Sequence, residues 1–117
     1  EIEGIMEVIQ DVMWQAELDN SGTITSVNEN LVKQSGYPAQ EMEGQALKSL
    51  FAENDREKLD TLWETLKQGQ TQKTKATVIT KKQEEIELNV SLIPVRDSQE
   101  NITKIIFLGY KSNEINT

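Results

Sequence analysis

Ile105, Ile106, Phe107 and Leu108 stand in unbroken succession near the end of the chain, and that run limits the folds open to it. Successive side chains of a strand point to opposite faces, so Ile105 and Phe107 need cover on one side and Ile106 and Leu108 on the other. Such a strand belongs in the middle of a sheet with something packed above and below. The strand predicted over residues 85–95 is different: Ile86, Leu88, Val90 and Leu92 alternate with Glu85, Glu87, Asn89 and Ser91, so only one face is buried. Residues 71–80 alternate more weakly, with Lys73 and Lys75 opposite Ala76 and Val78, which suits an edge. At the other end of the chain, residues 12–18 place Val12, Trp14, Ala16 and Leu18 on one face of a half-buried strand. A turn at residues 19–22 and a short β-rich strand at residues 23–27 follow.

Helices fill the middle. Asn28 stops the second strand and offers its side-chain oxygen to an unpaired N–H of a first helical turn. Gly36 suits a left-handed exit from that helix, Tyr37-Pro38 begin a second short one, and Gly44 ends it. Residues 46–51 make a short apolar turn carrying Leu47, Leu50 and Phe51. Asn54, with Glu57 three residues on, predicts the cap of the longest helix. There Leu59, Leu62, Trp63 and Leu66 form one apolar stripe, Lys67 suits the negative end, and Gly69 closes it. Short, broken helices cover a sheet loosely, and loose cover leaves room for a pocket. Residues 1–10 carry one more helical stripe, Ile2, Ile5, Met6 and Ile9, which reads equally as a lid on this sheet or as a dimer or linker helix.

Composition narrows the chemistry. At 117 residues the chain is one domain. A net charge of −8 argues against a nucleic-acid surface and against docking on anionic lipid. With no cysteine and no histidine, disulfides, thiolate nucleophiles, cysteinyl–flavin adducts, the common zinc sites and a histidine-ligated haem are excluded. Asp19, Ser21 and Thr23 imitate the start of a calcium loop, but Ile24 and Asn30 stand where that loop needs glycine and glutamate, so the turn is preferred. Glu84-Glu85 fall in a turn and read as solvated, not catalytic. No apolar run approaches a membrane span, and a start on Glu1 reads as excision from something longer.

Gly22, Ile24 and Asn28, followed by Gly36, Tyr37, Glu41 and Gly44, spell G-x-I-x-x-x-N and G-Y-x-x-x-E-x-x-G, a pattern that resembles the PAS sensory domain. The resemblance is strongest to PAS domains of chemotaxis and aerotaxis receptors, through Leu62-Trp63 with Leu66 and Gly69, and through Pro94 and Asp97. It implies an α+β fold, a five-stranded antiparallel sheet of order 2-1-5-4-3 with short helices over one face, which puts residues 102–111 at the centre. Departures bear on cofactors. Haem-binding relatives have His where Gln45-Ala46-Leu47 stand, and the flavin-contact positions hold Gln72 and Val78, so no cofactor is assigned and flavin is the one left open. Glycine of the next hairpin is replaced around Lys82-Gln83, and the output-joining Asp-x-Thr is missing at Lys111-Ser112-Asn113.

The resemblance further implies a flanking helix at residues 1–10, a sensor domain at 11–113 and a linker at 114–117 to an output module in the same parent chain. The function implied is cytoplasmic small-molecule sensing, without catalysis, in a bacterial chemoreceptor-type transducer and as a homodimer. Leu31, Tyr37, Met42, Leu47, Phe51, Trp63, Val78, Val90 and Ile106 are the expected pocket residues, each also readable as ordinary core, with Trp63 read first as core. A ligand-free dimerisation or docking module is the alternative. A small hydrolase or isomerase would need a buried acid or base, and no Asp or Glu falls on an apolar face.

Overall fold

The computed structural model describes residues 12–111, so the helix predicted over residues 1–10 and the linker at 114–117 lie outside the described residues. The elements in order are β1 (Trp14–Leu18), β2 (Ile24–Val27), α1 (Glu29–Ser35), α2 (Ala39–Met42), a 3-10 turn (Leu47–Leu50), α3 (Glu53–Lys67), β3 (Gln72–Ile79), β4 (Glu85–Arg96) and β5 (Ile102–Tyr110). Strand ends differ from the sequence expectation by a residue or two, and Val12 falls before β1. The strands form one antiparallel sheet of order β2-β1-β5-β4-β3, with β5 at its centre.

Register decides which side chains meet. Trp14, Ala16 and Leu18 lie opposite Gly109, Phe107 and Ile105, and Phe107 in turn opposes Leu92. All these, with Leu88, Val90, Ala76 and Val78, face the helices and are buried. Ile106 and Leu108 point away from the helices and stay half-buried, so the helical layer supplies only one of the two covers that β5 calls for.

The helical layer is fastened at both edges of the sheet. Beside β2, Ile24 donates to Gln45 O and accepts from Gly44 N–H, and Leu47 N–H reaches Gly22 O. Beside β3, Phe51 bridges Val78 and Ala52 N–H donates to Thr77 O. The predicted capping pair at Asn54 and Glu57 is corrected here. Helix α3 begins at Glu53 behind Ala52, with no side-chain cap. The tie to β3 sets its start instead: Asp55 Oδ2 accepts the Thr77 N–H at 2.8 Å, and this tertiary bond outweighs the local signal of Asn54. Pro38 likewise stands one residue before α2 rather than in its first turn. Asn28 does cap α1, and Gly36 leaves it at φ +80°.

The three hairpins share one design. In residues 19–23, 80–84 and 97–101 the first N–H donates to the fifth carbonyl and the fourth N–H to the first carbonyl. The first side chain, Asp19, Thr80 or Asp97, accepts the fifth N–H at 3.0 Å. The fourth residue is left-handed in each, as Gly22 at +95°, Gln83 at +69° and Glu100 at +68°. Asp19 Oδ1 also accepts from Ser21 N–H and Ser21 Oγ–H, so the calcium-like spelling serves a turn. The bond from Thr23 N–H, then that from the Ser21 hydroxyl, holds the Asp19 carboxyl below its ordinary range. Because the folded value is the lower one, this support is present above the ordinary carboxylate pKa and is lost as pH falls through the depressed value.

Candidate functional site

The inner face of the sheet and the short helices enclose most of the expected pocket residues. Leu31, Met42, Leu47, Phe51, Val78 and Val90 all lie in that shared interior, and each is at most 3% exposed. Phe51 comes down from the 3-10 turn to meet Phe107 of β5 edge-on, with ring centroids 6.1 Å apart and planes at 77°. Tyr37 is half-buried against the same cluster. Ile106 is not part of this site: it lies on the opposite face of β5, because Ile105 and Phe107 take the inward positions.

Trp63 occupies the rim. It is half-buried, its Nε1–H donates to Asn20 O at 3.2 Å, and its ring lies over Gly22, where an added Cβ would come within 3.2 Å of Cζ2. Trp63 packs against the core from its edge: α3 turns Leu59 and Leu66 fully inward and leaves Leu62 and Trp63 half-buried at its flank. On one side of the indole a small cleft of about 140 Å³ reaches Leu47 and Leu59 of the interior. On the other, a larger cleft of about 780 Å³ opens beyond the end of α3, toward the hairpin at 97–101.

That larger cleft contains a residue absent from the expected pocket set. Arg96, at the end of β4, sends Nη2 to the carbonyls of Gln68 at 3.4 Å and Gly69 at 3.2 Å, and Nη1 to Glu100 at 3.3 Å. It satisfies carbonyls left open at the negative end of α3. A Cβ at Gly69 would fall on Arg96 Nη2, so Gly69 makes room for the guanidinium as well as supplying a φ of +89°. No local signal could have found this pairing, since it joins positions 27 residues apart.

Chemically, the interior is apolar. The buried polar residues among those described are Ser35 and Thr80, and both accept a backbone N–H, from Tyr37 and Glu84 respectively. No buried side-chain polar atom there lacks a partner, and no cluster of carboxylates fit to hold a metal occurs among the described residues. The arrangement suits enclosure of an apolar group by displacement of side chains, with no donor or acceptor waiting for one.

The profile of the PAS domain family matches residues 10–113. The chain belongs to this family. Its five-stranded sheet with strand order 2-1-5-4-3 is the PAS fold expected from Gly22, Asn28 and Gly44. Among curated proteins, the biofilm dispersion protein BdlA of Pseudomonas aeruginosa is 29% identical over 103 residues, which are 86% of this chain and 25% of that protein. The chain thus spans about a quarter of that relative's length. Among solved structures it resembles the PAS-B domain of Drosophila melanogaster Cycle with bound ethylene glycol, at a TM-score of 0.74 and 15% identity, over 82% of this chain and 96% of that one. It also resembles the PAS domain of an HTR-like protein from Haloarcula marismortui, at 0.72 and 17%, over 92% and 89%. An RNA-binding light-oxygen-voltage receptor aligns at 0.78 and 19%, over 95% of this PAS domain and 33% of that chain. These likenesses concern the fold.

Proposed function

We propose that this PAS domain senses a small, largely apolar molecule held between its helices and sheet, and passes the change to an output module in a bacterial chemoreceptor-type transducer. The observation that carries the reading is the construction of the inner layer. Leu31, Met42, Leu47, Phe51, Val78 and Val90 converge from separate elements, and the short helices over them are fastened to the sheet through backbone bonds at its two edges. Such a layer shifts as a unit when its contents change, and a ligand favours whichever geometry it fits better. Kinship with a bacterial biofilm dispersion protein supports a signalling role over a catalytic one. No titratable side chain is buried among the described residues, which favours binding over acid–base chemistry.

A second reading is a ligand-free module for dimerisation or protein docking. What favours it is the tightness of the same residues, at most 3% exposed and in mutual contact. Native mass spectrometry of the purified domain separates the two. A retained mass beyond the chain supports sensing, whereas a bare chain that gains no mass across a panel of apolar metabolites leaves the docking module standing.

A further inference from the structure

We propose that the cleft at the end of α3 is a second binding site, for a small organic carboxylate with a flat apolar body, whose acid group takes the place of Glu100 on Arg96. The site lies outside the interior and does not depend on what the interior holds.

The charge is unusual for its setting. The chain carries −8 overall, yet Lys67 and Arg96 face this cleft against the single carboxylate of Glu100. Arg96 is positioned in advance: its two bonds to the carbonyls of Gln68 and Gly69 orient the guanidinium plane while leaving its Nε–H without a bond to any described residue. With Nη2 taken by the two carbonyls, a carboxylate meets Arg96 through Nη1–H, the donor that Glu100 now holds. Glu100 already shows that a carboxylate fits there, at 3.3 Å from Nη1, but its side chain is 74% exposed and its backbone is held at φ +68°. A carboxylate so exposed, on a strained turn residue, is a weak competitor for an incoming acid.

The cleft has one apolar wall, while Asn20, Ser21, Gln68 and Asn101 line the rest. Trp63 presents ring without a free donor, since its N–H is taken by Asn20 O, and Leu66, Ile102 and Ile105 line the same space. One charged end and one flat apolar wall select an amphipathic acid over either a plain anion or a neutral hydrocarbon.

The test is titration of the purified domain with benzoate, and with benzamide as its neutral counterpart, followed by ¹⁵N NMR of the Trp63 Nε1–H and Arg96 Nε–H signals. Trp14, only 1% exposed in the core, is the internal control. Benzoate should move the Trp63 and Arg96 signals saturably and leave the Trp14 signal in place, with benzamide at least ten-fold weaker. Glu100→Gln should tighten benzoate several-fold, and Arg96→Gln should weaken it at least ten-fold. If Arg96→Gln does not fold, the Glu100→Gln result decides alone. Unmoved Trp63 and Arg96 signals, equal response to benzamide, or no tightening in Glu100→Gln overturns the inference. So does a shift at Trp14 with none at Trp63, which places the acid in the interior instead.

Discussion

A helix cap and a cross-strand clamp make different demands on Asn28. Read from sequence it is a cap, and glycine replaces a capping side chain at a cost of only a few tenths of a kcal/mol. In the structure Oδ1 accepts from Leu31 N–H at 3.0 Å and from Gln15 N–H at 3.1 Å, while Nδ2 donates to Met13 O at 3.0 Å. One side chain thereby joins the start of α1 to β1, and two of its three bonds reach across more than a dozen positions. Asn28→Ala and Asn28→Gly should therefore cost nearly the same, about 2–3 kcal/mol each, by loss of the cap and of both part-buried cross-links. Urea denaturation measures it, and a glycine variant close to wild type would reduce Asn28 to a cap alone. The cap was legible because it is local; the clamp was not, because nothing near Asn28 in sequence points to Met13 or Gln15. The same limit explains Trp63 and Arg96, whose partners Asn20 and Gly69 are distant in the chain.

At the scale of elements, what could be read was whatever a short window contains. Alternation in β4, the two-faced run in β5 and the stripe of α3 are properties of consecutive residues, and these elements form as expected. The start of α3 moved because β3 holds it, a contact that no window around Asn54 includes. The hairpins show the converse, a local rule met with unsuitable residues. Gly22 supplies the left-handed fourth position freely, but Gln83 and Glu100 adopt it at a steric cost. The missing glycine noted at Lys82-Gln83 is thus at Gln83. Gln83→Gly should stabilise the domain by about 0.5–1 kcal/mol, the relief of strain exceeding the entropy glycine gains when unfolded. Gly22→Ala should act in the opposite sense, since it adds the same strain and presses a Cβ to 3.2 Å from Trp63 Cζ2. Thermal melting of both variants checks the pair of signs, and a destabilised Gln83→Gly would mean that the glutamine side chain contributes more than its backbone costs.

For the whole molecule the open question is the second face of the sheet. The helices cover Ile105 and Phe107, while Ile93, Val95, Ile106 and Leu108 form a half-buried apolar strip on the other side. Ile106 opposes Ile93 on β4, so the strip is continuous across the two longest strands. A lone exposed isoleucine needs no explanation, but a contiguous strip at the centre of a sheet favours a cover. Residues 1–10 carry Ile2, Ile5, Met6 and Ile9 at helical spacing, an apolar stripe of suitable size for it. Burying one such side chain is worth about 1.5–3 kcal/mol, more than the rotamer freedom it loses. The same stripe fits a neighbour's sheet as well as its own, and reciprocal cover gives a two-fold dimer. Deleting residues 1–10 should then cost about 2 kcal/mol, a fall in melting temperature of roughly 10 °C for a domain of this size. The truncated domain should also associate more weakly in sedimentation. A substitution separates cover from dimer: Ile106→Lys in the full chain should weaken melting if the stripe lies on its own sheet, and both melting and association if it lies on a partner's. Should the truncated domain melt and sediment like the parent, the strip is uncovered by this segment, and any signal leaving the sheet must do so through the C-terminal end of β5.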